Sequence, residues 1–446
     1  MRFSLRDRAP KPVHRGMAVI AGGTAGGQLL ALISAPVLTR VYSPSDFGIF
    51  AIISSIAVTV GSSSALRFEL AVPLPGDEQD AHSLVTLGLL SAGITAVGGT
   101  IVVALAGDAL AHGFAQPGLM PWLWFVPPTA AVLGVYMVLN QLAVRNRRYG
   151  AIGRRNLFQT TILVATQVGL GVAGLRPGGL VLGLGIGQAA GALSLLWGSG
   201  IRGEAARRGR QRQQLVATLS RYRRFPLVSS PSGLLNVMGL QLPILLIAYH
   251  YGDEVAGWLG LSQRVLALPL ALVGAAAAQV YLGELVSTSR GGSARPMALF
   301  MKASRRLAGV GLLIAIVLLF AGPSLFHLAF GPEWVISGQY AQALSLGLAA
   351  QLVAAPLSQT LTAFERQYLQ LTWDIGRLVL ITGATAICAL TGGSALSSMW
   401  CLGLASCAAY AASWLLSRHT LRHSSWRPTA AVSEGAVDTA SPVQRL

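Results

Sequence analysis

Residues 306–330 read RLAGVGLLIAIVLLFAGPSLFHLAF. After the opening arginine the run holds no Asp, Glu, Lys or Arg. At 1.5 Å per residue a helix of this length covers the ~30 Å hydrocarbon core of a bilayer. A second such run covers 82–106. Working outward from these two, apolar stretches of similar length recur between charges near 16–38, 46–65, 119–142, 152–174, 178–200, 226–250, 255–283, 335–362, 368–390 and 394–417, making twelve. Pro356 and several Gln and Ser residues interrupt 335–362. The basic start of the chain (Arg2, Arg6, Arg8, Lys11, Arg15) resembles a signal peptide. Its apolar part is too long for a signal core and further spans follow at once, so it reads as the first span. The expected fold class is an all-α polytopic membrane protein of twelve transmembrane helices.

Composition agrees. Of 446 residues 53% are apolar and 11% are charged, with a mean hydropathy of +0.59. Soluble domains carry about a quarter of their residues as charged side chains. A soluble enzyme is excluded on that ground, and a disulfide scaffold by the presence of only three cysteines. The net charge of +17 would suggest nucleic acid in a soluble chain. Here the cations follow the spans instead: 29 of 33 fall on the N-terminal segment, on connections after even-numbered spans, or on the C-terminal tail. Connections after odd-numbered spans hold only Arg40 and Arg176. The positive-inside bias then puts both termini in the cytoplasm, and no nucleic-acid partner is expected.

The longest basic connection, 201–225, divides the chain into an N-terminal lobe (1–200), a C-terminal six-helix lobe (226–420) and a polar tail (421–446) that reads as disordered. A weak echo links the halves: Pro36-Val-Leu38, Tyr42, Ser45 and Gly48 against Pro243-Ile-Leu245, Tyr249, Glu254 and Gly257. Its alternatives are parallel repeats with a site between them, or chance similarity of two apolar loops. Glycines four apart (Gly22/Gly26, Gly23/Gly27, Gly183/Gly187/Gly191) read as close helix packing. No phosphate-binding loop closes on either lysine, Lys11 or Lys302. Cys388, Cys401 and Cys407 read as packing residues, and neither a metal site nor a cofactor is expected.

Two cations lie inside spans, where an ionisable group costs at least ~2.5–3.5 kcal/mol. Arg264 sits roughly 13 Å into the eighth span, next to Ser262 and Gln263. Arg377 lies three residues after Asp374 on one helix face, beside Trp373. One reading neutralises Arg377 with Asp374 and lets Arg264 snorkel or pair with the same acid. The other makes both arginines the positive field of a cavity for an anionic head group, a task that suits a guanidinium. Gln28, Gln159, Gln167, Asn236, Gln241 and Gln351 support a hydrated path.

The stretch Ser34-Ala-Pro-Val-Leu-Thr-Arg40-Val-Tyr-Ser-Pro44-Ser-Asp46-Phe-Gly48 resembles the first-loop signature of the bacterial polysaccharide-repeat-unit flippases. These are the O-antigen and capsule transporters of the multidrug/oligosaccharidyl-lipid/polysaccharide exporter superfamily. Leu66-Arg67-Phe-Glu69-Leu-Ala71, Leu261-Ser-Gln-Arg264-Val-Leu-Ala-Leu-Pro269 and Trp373-Asp-Ile-Gly-Arg377 are also similar to it. The resemblance implies two six-helix lobes around a central cavity. It also implies flipping of an undecaprenyl-diphosphate-linked oligosaccharide across the bacterial inner membrane, without catalysis. Membrane lipids are implied partners, and a polysaccharide polymerase and a chain-length regulator are candidate ones. Cavity residues carried over are Arg264, Arg377, Asp374, Gln263 and Trp373. Arg40 and Asp46 carry over as motif or gating residues, and Arg67 with Glu69 as an inner latch. The first-half spans lack deep acids, which counts against the alternative of a cation-coupled drug or metabolite exporter. Short outer loops count against a membrane glycosyltransferase or polymerase. A lipid II flippase would be expected to have fourteen spans.

Overall fold

A computed structural model of the chain describes residues 11–114, 116–197, 211–290, 296–364 and 366–423, and every regular element among them is helical. Arg2, Arg6 and Arg8, the first part of the 201–225 connection, and the tail from 424 lie outside the described residues. The first lobe holds α1 (Lys11–Val41), α2 (Pro44–Gly61), α3 (Glu78–Gly113), α4 (Val126–Arg145), α5 (Tyr149–Val172) and α6 (Gly178–Leu196). The second holds α7 (Ser230–Tyr251), α8, α9 (Pro296–Phe330), α10 (Val335–Leu357), α11 (Gln367–Leu390) and α12 (Ala395–His423). Here α8 is composite: Asp253–Pro269, a π-helical turn at Leu270–Gly274, then Ala275–Arg290. Proline at the junction cannot donate its backbone hydrogen bond, which is where such a register change is expected.

Eleven of these segments are long and apolar enough to cross a membrane. The twelfth, α5, has the length (24 residues) but carries Arg154, Arg155, Asn156, Gln159 and Gln167. It runs parallel to α1 along its length. Gly153 packs on Val19 and Gly23 at one end, and Gly171 packs on Val41 and Tyr42 at the other. Its polarity is directed inward. The small residues of α6 make the approach possible: a Cβ at Gly187 would lie 2.7 Å from that of Leu163, and one at Gly191 would lie 2.9 Å from Arg155 Nε. Such contacts supply dispersion energy where lipid provides no hydrophobic drive. Gly22 departs from the packing expectation, since among the described residues nothing lies within 4 Å of a Cβ built there.

Alternate connections gather on the same side. Arg145, at the end of α4, donates to the carbonyls of Val72, Pro75 and Asp77 (3.2, 2.6 and 3.3 Å). Arg221, in the short helix Gln211–Arg221, pairs with Asp80 at 3.1 Å. On the other side Tyr42, Asp253, Trp334 and Gly393 mark the opposite ends of the helices. We call these the basic face and the outer face.

Most helix contacts are internal to each lobe; α2 makes the main crossing, against α8 and α7. Its start has a capping box: Ser43 Oγ accepts from the Asp46 amide, and Asp46 Oδ2 accepts from the Ser43 amide at 2.9 Å. At the outer face a Cβ on Gly48 would collide with the Asp253 carbonyl, and one on Gly257 with the Pro44 carbonyl. The two contacts are reciprocal. Pro44 and Asp253, like Gly48 and Gly257, are 209 positions apart, as in the sequence echo. Ser45 Oγ also donates to Asp253 Oδ2, and Gln116 Nε2 to Oδ1 at 3.0 Å. The largest buried cluster surrounds this point and joins both lobes through Leu38, Tyr42, Phe47, Leu259 and Trp334. Phe47 meets Trp334 edge-on at 4.9 Å, and Trp334 Nε1 donates to the Thr39 carbonyl at 3.3 Å.

Overpacking a filled interface costs ~1–3 kcal/mol, or about five- to more than hundredfold in the ratio of closed to open lobes. Gly257→Ala should therefore lower the yield of a Ser45→Cys/Asp253→Cys cross-link that forms readily without it. An unchanged yield would show that these backbones do not set the closure.

Candidate functional site

Between the lobes lies a cavity of about 640 Å³. The first lobe contributes Thr24, Gln28, Ser54, Ser55, Tyr136, Arg155, Asn156, Gln159 and Gln167, and the second contributes Gln241, Gln263 and Arg264. A smaller chamber of about 320 Å³ lies within the second lobe, lined by Arg377, Gln351, Ser406 and Tyr410. Gln241 and Gln263 line both and form the partition.

The two arginines singled out in the sequence do not share a chamber. Arg264 faces the larger one, and its Nη2 donates to the Ala31 carbonyl of α1 at 3.2 Å, across the lobe boundary. Among the described residues it has no carboxylate partner within salt-bridge distance. It does not pair with Asp374. Arg377, 5% exposed, has a carboxylate partner and bonds on both terminal nitrogens within its own lobe, and only its Nε lacks a hydrogen-bond partner among the described residues. Its Nη2 lies 3.6 Å from Asp374 Oδ1 and donates to Asn236 Oδ1 at 2.9 Å, while Nη1 donates to the Tyr410 hydroxyl at 3.3 Å. Its guanidinium stacks 4.9 Å from the Trp373 ring, and Trp373 in turn donates Nε1 to the Ala409 carbonyl at 2.7 Å. Asp374, Trp373 and Arg377 thus form a neutral, mutually bonded group.

Arg155 requires a correction. The 29 cations assigned to the basic side include it, counted with the connection before the fifth span although the apolar stretch 152–174 already contains it. The helix begins at Tyr149, so Arg155 lies in its second turn and faces the cavity. A signal was available: Arg155, Gln159 and Gln167 recur at helical spacing along one stripe, with Asn156 and Thr160 beside it. Of the predicted polar path, Gln28, Gln159, Gln167 and Gln241 line the larger chamber. Gln167 also ties helices together, donating Nε2 to the Leu180 carbonyl at 3.1 Å.

The expected gating residues separate by role. Asp46 caps α2 and helps hold the loop beneath the outer contact. Arg40 is exposed on the last turn of α1, where a cation suits the carbonyl end of the helix. On the basic face Leu66 and Arg67 take left-handed backbone conformations (φ 50° and 60°), a strain of about 1 kcal/mol or more each. That turn brings the Arg67 guanidinium against Gly233 of α7, where a Cβ would collide with it. Arg67 Nη1 lies 3.7 Å from Glu69 Oε1. Ser63 Oγ donates to the Ser230 carbonyl at 3.4 Å, a second link between the lobes.

Glu69 is 3% exposed, and its carboxylate oxygens have no hydrogen-bond partner among the described residues. Burial raises its pKa above the ordinary 4.5; its own backbone amide and Arg67 oppose the shift. An acid whose folded pKa is raised makes the folded state bind the proton more tightly. Its contribution to stability is therefore present at low pH and is lost as pH rises from about 4.5 through the raised value. Thermal midpoints across that window should fall with pH in the wild type, and Glu69→Gln should flatten this component. A profile identical in both proteins would show that Glu69 titrates alike in the folded and unfolded chain.

No curated protein matches the chain's sequence. Solved structures match its fold. The lipid II flippase MurJ in an inward closed conformation superposes with a TM-score of 0.70 at 11% identity, covering 90% of this chain and 88% of that one. A mutant of the Vibrio cholerae MATE transporter VcmN gives 0.61 at 16% identity, with 92% and 97% covered. An inward-facing multidrug resistance MATE family transporter of the MOP superfamily gives 0.60 at 15% identity, with 90% and 94% covered. Identities this low show a common fold. A family model described as polysaccharide biosynthesis protein matches residues 37–338. That match covers more than half the sequence and includes the outer contact, Arg155, Arg264 and the cavity lining other than its α1 residues; the chain belongs to the polysaccharide biosynthesis protein family.

Proposed function

We propose that this protein flips an undecaprenyl-diphosphate-linked oligosaccharide repeat unit across the bacterial inner membrane, for synthesis of O-antigen, capsule or exopolysaccharide. The observation that carries the reading is the polar cavity between the lobes, with an arginine from the second lobe that has no carboxylate partner among the described residues. Family membership supplies the polysaccharide context, and the MurJ-like fold supports a lipid-linked substrate.

The physical problem is to move sugars and two phosphates across about 30 Å of hydrocarbon while the polyprenyl tail stays in lipid. The larger chamber falls within the ~300–1,000 Å³ range of ordinary ligand sites, and its glutamines, serines and threonines suit hydroxyl-rich cargo. Arg264 is the first-choice contact for the phosphates, since a guanidinium keeps its charge and bonds phosphate in a bidentate fashion. Gln263 hands the glycan on to the second chamber, whose wall is the neutral group of Arg377, Asp374 and Trp373. Loading requires the outer contact to stay shut while the Arg67–Gly233 and Ser63–Ser230 contacts part, opening the cavity to the basic face, which the positive-inside bias assigns to the cytoplasm. Release then requires Gly48 and Gly257 to part and the Arg67 latch to hold.

Deletion of the gene should abolish surface polysaccharide. Complementation with Arg264→Ala should restore at most a tenth of export at equal protein level. Full restoration would reject the role of Arg264 in the cavity. Intact polysaccharide with new sensitivity to cationic drugs would favour a cation-coupled exporter instead.

A further inference from the structure

Arg155 is 5% exposed, yet only one of its nitrogens is hydrogen-bonded: Nη1 donates to Asn156 Oδ1 at 2.8 Å. Nε and Nη2 have no hydrogen-bond partner among the described residues, and no carboxylate there lies within salt-bridge distance. The side chain is nonetheless held in place. Its guanidinium carbon lies 3.4 Å from the centroid of the Tyr136 ring on α4. Gly191 on α6 leaves the space it fills, since a Cβ there would come within 2.9 Å of Nε. Three helices thus fix a charged plane at the wall of the 640 Å³ cavity that Arg264 also lines.

A buried cation lacking a counter-charge is unfavourable, and its desolvation is recovered only when an anion with good geometry arrives. Arg377 has already recovered that cost through Asp374, Asn236 and Tyr410. Arg155 and Arg264 have not. They also belong to opposite lobes, α5 and α8, and share one chamber. We infer that Arg155 and Arg264 form a single anion subsite for a diphosphate, with Tyr136 as its platform, and that the Arg377 chamber takes uncharged cargo. The inference rests on the transport reading for its biological ligand. The chemistry is that of a diphosphate, which a lipid-linked sugar, a nucleotide sugar or free pyrophosphate could each present.

The test uses the purified full-length protein in detergent, with inorganic pyrophosphate as first probe and farnesyl diphosphate and a nucleoside-diphosphate sugar as further arms. Pyrophosphate should raise the wild-type thermal midpoint in a saturable way. Arg155→Gln and Arg264→Gln should each weaken the apparent affinity at least tenfold, whereas the double variant Asp374→Asn/Arg377→Gln, which removes a neutral pair, should retain it. Without anion, Arg155→Gln should melt at or above the wild-type temperature because an uncompensated charge is gone. A merely structural arginine gives the reverse: a lower midpoint and an undiminished response to pyrophosphate. That result, or a wild type indifferent to pyrophosphate, overturns the subsite. Farnesyl diphosphate binding more tightly than pyrophosphate or the nucleotide sugar identifies a lipid-linked ligand; preference for the nucleotide sugar overturns the lipid-linked assignment. In proteoliposomes, flipping of a lipid-linked oligosaccharide that survives Arg155→Gln rejects the subsite and leaves the transport reading standing. Pyrophosphate binding in a protein whose deletion leaves the polysaccharide intact does the opposite.

Discussion

Two backbones touch where the lobes meet: the helix turn at Gly48 lies against the Asp253 carbonyl, and the turn at Gly257 against that of Pro44. Much else follows from this reciprocal contact. It draws α2 and α8 together at the outer face, so that the space between the lobes lies below it as a cavity. It also sets Ser45 and Gln116 beside Asp253, and Thr39 and Phe47 beside Trp334, which seal that end with inter-lobe hydrogen bonds and an aromatic edge contact. Dispersion is short-ranged. A contact made of backbone atoms is therefore either fully formed or lost, and this favours two discrete arrangements of the lobes over a graded opening.

Below that contact the distribution of charge does the rest. Few ionisable groups enter the span region, and the structure treats them differently. Arg377 has an acid one turn away, an amide and a phenol from neighbouring helices, and an indole face beneath it. Arg264 has a single carbonyl across the lobe boundary, and Arg155 an asparagine and a tyrosine ring. An arginine neutralised by a carboxylate in its own lobe is a packing element. One without a carboxylate among the described residues keeps its charge and hydrogen-bonding capacity for a ligand. Burial is similar for Arg155 and Arg377, so the partners distinguish them.

The fold was largely legible in the sequence, because apolar run length and the alternation of basic loops are one-dimensional signals with a direct physical cause. Arg155 was not, for the same reason. Counting cations by loop assigns any arginine near a span boundary to the water, and Arg155 lies only three residues into the apolar stretch read from 152 although it is six residues into the helix. Arg264 stood out because no other charged residue falls in the stretch 255–283. Which chamber it faces depends on the rotation of α8 against α1, and no run length encodes that. The pairing of Arg377 was half legible: Asp374 at i−3 is visible in sequence, whereas Asn236 and Tyr410 come from α7 and α12. The Gly48–Gly257 contact left a trace as an echo between the halves, readable as a repeat but not as a point of contact.

The placement of the cations also bears on how occupancy and movement are linked. A ligand shifts an equilibrium between two arrangements only by the difference in its affinity for them. An anion held by Arg377 would gain little from such a difference, because Asp374, Asn236, Tyr410 and Trp373 all belong to the same lobe and would travel together. Arg264 is different even without ligand, since its one bond reaches α1 in the other lobe. An anion between Arg155 and Arg264 would be gripped by both lobes in one arrangement and by a single arginine once they rotate apart. Affinity then falls as the outer contact parts, which is what release on the far side requires. A denser cationic lining within either lobe would bind more tightly in both states and oppose release, so the small number of unpaired arginines is itself suited to transport.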